Sequence, residues 1–117
     1  MNLSSEFSKA LIARIWHGYT TFENATVYEN LLKEEVFPSI EKKKIKGYRK
    51  ISLLKQIREN DVEFITIMLF DNLENIKDFV GEDYEQSYVP LKAQEVLLRH
   101  DERSKHYEIV NEIDYGC

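Results

Sequence analysis

The run Val62 to Phe70, VEFITIMLF, constrains this chain more than any other segment. It is dominated by β-branched and aromatic residues and reads as a strand. Successive side chains on a strand point to opposite faces. Val62, Phe64, Met68 and Phe70 therefore share one side, and Ile65, Ile67 and Leu69 the other, with only Glu63 and Thr66 interrupting the apolar sets. An antiparallel sheet with one wet face carries polar residues on that face, whereas this strand needs cover on both. Helices of the same chain can shield one face. The other is left for a second copy of the chain or for the crossing segment after Gly81.

The rest of the pattern supplies neighbours for this strand. LIARIWH is rich in β-branched and aromatic residues and precedes Gly18, which predicts a first strand over about Ala10 to His17. Thr20 with Glu23 forms a capping box, and Ala25, Tyr28, Leu31, Leu32 and Val36 recur at helical spacing, so a long amphipathic helix follows. Pro38 lacks an amide proton and predicts a break or kink near Phe37 before a last turn through Ile40, and Gly47 closes the connection. Tyr48 to Ile57 and Val62 to Phe70 flank the polar Arg58-Glu59-Asn60-Asp61 and read as a hairpin. Asp71 with Glu74 signals a second helix with Leu73, Ile76, Phe79 and Val80 on its apolar face, ending at Gly81. Glu82 to Ser104 is an irregular crossing with a helical turn at Ala93, Val96 and Leu97. Tyr107, Ile109 and Ile113 alternate with His106, Glu108 and Glu112, a period-two pattern that predicts the last strand.

The order β-α-β-β-α-β predicts an α+β, ferredoxin-like antiparallel sheet with two helices on one face. At 117 residues and 43% hydrophobic content the chain suits one domain, with a core over about residues 10–113. A net charge of -5 disfavours nucleic acid and anionic membrane surfaces as partners. A small molecule or another protein fits better. Cys117 is the only cysteine and closes no disulfide within the chain, and the residues before Ala10 are polar, so neither an oxidising compartment, a signal peptide nor a membrane span is indicated. A cytoplasmic location is the expectation.

The opening IARIWHG, the strand EFITIMLFD leading into a short helix and GEDYE, and the closing KHYEIV together resemble the antibiotic biosynthesis monooxygenase-like family. The likeness spans about Ile12 to Ile113. It implies a homodimer whose two sheets pack into an α+β barrel. It further implies a cofactor-independent monooxygenase acting on a small electron-rich aromatic of the quinol or polyphenol kind. The alternative is a non-catalytic dimeric domain that binds a small molecule or serves as an accessory protein. The haem-degrading branch of the family carries an Asn on strand one, a Trp on the second helix and a His shortly after. Here Trp16, Phe79 and about Val89 stand at those places, with no axial histidine, so no cofactor is expected.

Residues able to carry chemistry gather, on this topology, at one edge of the sheet. The first and last strands are antiparallel neighbours, which predicts that His17 and His106 lie close and offer a general base near neutral pH; ordinary surface hydrogen bonding is the alternative. Three histidines with Asp101 or Glu108 raise a metal site only through tertiary convergence, since no pair has local ligand spacing, and none is expected. Arg14 and Trp16 share a face opposite to Ala13, Ile15 and His17. Trp16 is placed to stack on a flat ligand or to fill the core, and Arg14 to neutralise a phenolate. Tyr84 and Tyr88, after the second helix, are placed either to cover a ligand or to anchor the crossing.

Overall fold

The computed structural model describes residues 11–116. Ala10, the polar residues before it and Cys117 lie outside the described residues. Strands β1 (Ile12–Thr20), β2 (Tyr48–Ile57), β3 (Val62–Phe70), β4 (Arg99–His100) and β5 (Lys105–Glu108) form one antiparallel sheet. Its order is β2-β3-β1-β4, and β5 also pairs with β1. Helical segments α1 (Ala25–Leu31), a π-helical turn (Leu32–Val36), α2 (Phe37–Lys42), α3 (Leu73–Val80) and α4 (Leu91–Val96) complete the fold. The α+β ferredoxin-like arrangement, with helices on one face, is therefore present. No helix among the described residues is long and apolar enough to cross a membrane.

The central strand behaves as its sequence predicts. Val62, Phe64, Met68 and Phe70 are at most 5% exposed beneath the helices, whereas Ile65, Ile67 and Leu69 on the opposite face are only half-buried. The hairpin closes where expected, with Arg58 N–H donating to the Asp61 carbonyl at 2.8 Å. Asp61 is itself buried, and its carboxylate accepts from Arg58 at 2.8 Å and from Arg99 at 2.6 Å, joining the hairpin to β4. From above, Tyr28, Leu32, Val36 and Ile40 seal the inner face together with Ile76, Phe79 and Ala93. Tyr28 meets Phe64 edge-on at 4.9 Å between centroids.

Several local features differ from the sequence expectation. The chain passes Pro38 without breaking: the Phe37 N–H donates to the Leu32 carbonyl, five residues back. A proline ring in a regular α-helix clashes with the carbonyl four residues earlier, and the wider π-turn relieves that crowding. The turn also corrects a drift. Tyr28, Leu32, Val36 and Ile40 are spaced by four, and each such step rotates about 40° around an α-helix, so without a wider turn the row would leave the sheet.

Neither predicted cap forms. Asn24 is the N-cap of α1 with no side-chain bond of its own, and in the turn before it Thr21, not Thr20, accepts the Asn24 N–H, because Thr20 is the fully buried last residue of β1. Asn72 caps α3 by accepting from the Asn75 N–H at 2.9 Å, which frees Asp71 to pair with Arg49. β1 runs on to Thr20, past the predicted end at His17. Gly18 is not a turn: a Cβ there would lie 2.7 Å from the Trp16 ring and 3.1 Å from Leu97, so the missing side chain makes room for the indole.

The last strand is the largest departure. Gly18 pairs with His100 and Ile15 with Lys105, so two more residues separate the pairs on this side than on β1. This is a β-bulge between β4 and β5. The predicted alternation to Ile113 stops at Glu108, and beyond it the Ile109 N–H still donates to the Leu11 carbonyl. The apolar set of this strand faces away from the core: Tyr107 is 52% exposed, while His106 stands opposite the inward-facing Arg14.

Candidate functional site

Between the inner face of the sheet and the helices lies a partly enclosed cavity of about 40 Å³. Arg14, Trp16, Thr66 and Met68 form its floor, and Leu32, Val36 and Ile40 roof it. Phe79, Tyr88 and Val89 line it from α3 and the crossing, and Ser104 from the bulge. A water needs at least about 10–15 Å³ of such space, so the cavity holds a few waters, and an aromatic ring enters only if lining side chains move. Trp16, Phe79 and Val89 all line this cavity. None of the cavity-lining residues is a histidine.

Arg14 is the chemically distinctive member. It is 3% exposed, yet no carboxylate meets it among the described residues. Its Nη1 donates to the Tyr84 carbonyl at 2.6 Å and to His106 Nε2 at 2.9 Å, and Nη2 donates to the Gln86 carbonyl at 2.6 Å. Its guanidinium lies 5.8 Å from the centre of the Phe79 ring. Burial lowers its pKa to about 10, so it keeps its charge at neutral pH. Buried charges normally have an opposite charge beside them. A guanidinium carries five N–H donors, and these three bonds leave two of them unassigned.

His106 is set by this neighbour. Since a guanidinium only donates, Nε2 of His106 must accept and its proton sits on Nδ1. That Nδ1 is buried and has no partner among the described residues. Burial, reinforced by the Arg14 charge, pushes the imidazole down to about 4. His106 is thus neutral at pH 7, with its basic nitrogen already engaged. The Tyr84 ring packs edge-on against it at 5.3 Å.

His17 is elsewhere. Alternation along β1 puts it with Ala13 and Ile15 on the outer face, while Arg14, Trp16 and His106 belong to the inner face. The expected meeting of His17 and His106 therefore does not occur, because the sheet lies between them. His17 Nδ1 is instead 2.8 Å from the Asp101 carboxylate. Among the described residues no three His, Cys, Asp or Glu side chains gather in a metal-holding group.

Trp16 and Tyr88 both pack with the core and line the cavity. Trp16 donates from Nε1 to the Asp101 carbonyl at 2.9 Å and packs on the His100 ring at 5.6 Å. Tyr88 packs on Phe79 at 4.9 Å. Tyr84 anchors the crossing through its carbonyl on Arg14. The residues that sequence reasoning missed are Tyr28, which reads as ordinary helix core, and Ser104, which reaches the cavity only because of the bulge. Burial pushes the Tyr28 hydroxyl pKa up.

No family model matches the sequence, and no curated protein matches it. Among solved structures the chain is similar to a protein from Bacillus cereus described as a "putative antibiotic biosynthesis monooxygenase", with TM-score 0.60 and 16% identity over 90% of this chain and 98% of that one. It is also similar to a conserved protein from Methanosarcina mazei Go1, with TM-score 0.56 and 13% identity over 88% and 96% of the two chains. At these identities the likeness is one of backbone, and it agrees with the resemblance carried by the sequence: this chain has the fold of the antibiotic biosynthesis monooxygenase-like proteins.

Proposed function

We propose that the cavity is the site of a cofactor-independent oxygenation of a small electron-rich aromatic, quinol- or polyphenol-like, bound as its anion. The observation that carries this reading is the buried Arg14 without an acidic partner among the described residues. A phenolate oxygen supplies the missing charge, and the field of the Arg14 guanidinium favours loss of the phenol proton to water at the mouth. Trp16 offers a flat face for the ring, and Tyr88 and Tyr84 close the side. Neutral His106 fixes the guanidinium rather than acting as the base. The reaction balances without an external reductant. For a dihydroxyaromatic, one ring C–H becomes C–OH, both original hydroxyls become carbonyls, and the four electrons released reduce O2, one atom entering the ring as the new hydroxyl and the other leaving as water. Oxygen uptake with a quinol panel tests it: consumption by the wild type that disappears in folded Arg14→Met supports the proposal, and no uptake above that variant rejects it.

A second reading, binding without chemistry, is favoured by the size of the cavity and its Phe and Tyr lining. Tight binding of a quinol without oxygen uptake would select it. In both readings we infer a homodimer paired through the outer faces. Half-buried Ile15, Ile65, Ile67 and Leu69, with Leu54 at 43% and Tyr107 at 52% exposure, supply an apolar surface for it. Light scattering on the intact protein decides this, and a monomer at all concentrations rejects it.

A further inference from the structure

Asp101 stands in the bulge between β4 and β5 and is used from both sides of the sheet. On the inner side its carbonyl accepts from Trp16 Nε1 at 2.9 Å, from Ser87 Oγ at 2.9 Å and from His100 Nδ1 at 2.8 Å. On the outer side its carboxylate accepts from the His17 backbone N–H at 2.9 Å and lies 2.8 Å from His17 Nδ1. Its own N–H donates to the His17 carbonyl at 2.9 Å. The pairs Gly18–His100 and Ile15–Lys105 bracket this stretch, and within it the regular ladder is interrupted. The orientation of the Asp101 peptide is therefore set largely by these side chains.

We propose that Asp101 is a positioning residue that ties the outer-face His17 to the cavity side chain Trp16 through the thickness of the sheet. His17 and Asp101 side chains are 33% and 35% exposed, so they are open to whatever covers the outer face. Fixing that pair fixes the Asp101 carbonyl, and with it the plane of the indole, whose other edge packs where a side chain at Gly18 would stand. Covering the outer face then tightens the cavity, and a ligand that shifts Trp16 is felt at His17. The functional consequence rests on the reading of the cavity as a binding site, whereas the link itself does not.

Trp16 is the single tryptophan of the chain, so the emission of ligand-free protein reports on this position alone. Asp101→Ala removes the outer anchor and leaves a carbonyl free to turn. The expected result is emission at longer wavelength with greater acrylamide quenching. Asp101→Asn keeps an acceptor for the His17 N–H and should restore most of the wild-type signal. His17→Ala, which alters only the outer face and leaves the residue 101 backbone untouched, should shift the emission in the same direction by less. It decides the matter if Asp101→Ala does not fold. Wild-type emission and quenching in folded His17→Ala, and in Asp101→Ala where that variant folds, would overturn the link. Oxygen uptake plays no part in this readout, so its failure and that of the proposed reaction are separate results.

Discussion

The two faces of one sheet differ sharply although the same strands build both. On the inner face Phe64 and Phe70 are fully buried under the helices, and a charged side chain, Arg14, is sealed in with them. On the outer face Ile65, Ile67 and Leu69 stay half-buried, and the contact of His17 with Asp101 is open to water. The inner face is completed within the chain except for one charge; the outer face lacks a whole layer. The first deficit suits a small anion and the second a surface as large as the sheet.

The sharpest way to break this comparison is to place a carboxylate on each side of β3. Phe64→Glu buries a charge without a partner and should abolish folding, as read by circular dichroism. Ile65→Glu should leave a folded protein that runs as a monomer in sizing experiments. If both variants unfold, the faces are not distinct in the way described. A smaller effect is expected at Gly18, where Ala would press on Trp16. Overpacking of this kind costs about 1–3 kcal/mol, measurable by urea denaturation, together with altered indole emission. The smallest effect is a pH dependence belonging to the inner face. With a folded pKa of about 4, below its ordinary value of 6.5, His106 takes up its proton in the unfolded chain first. Stability should therefore fall as pH drops from about 6.5 toward 4, and His106→Gln should remove that part of the slope in denaturation curves taken across this range.

Much of the inner face was legible because its signals are local. VEFITIMLF declares a two-faced strand, and Arg58 to Asp61 declares its turn, without reference to any other part of the chain. The face shared by Arg14 and Trp16 follows from alternation alone. What escaped depends on register. The separation of His17 from His106 turns on which face of the last strand meets the helices, and its apolar residues, Tyr107 above all, point outward here. Reading them as a continuous strand to Ile113 also hides the two-residue bulge, since nothing in Asp101 to Ser104 reveals where pairing with β1 resumes. The helix caps escaped for a similar reason: Thr20 and Asp71 have the right chemistry, but burial claims one and Arg49 the other.

The π-turn at Leu32–Val36 gives the roof of the cavity an unusual sensitivity to chain length. One residue in an α-helix corresponds to about 100° of rotation. Inserting one further residue after this turn would swing Phe37 and Ile40 off the cavity while leaving every side chain on the floor untouched, whereas deleting one within it would restore ordinary helix and keep their phase. Lengthening there would redraw the cavity more than most substitutions within it.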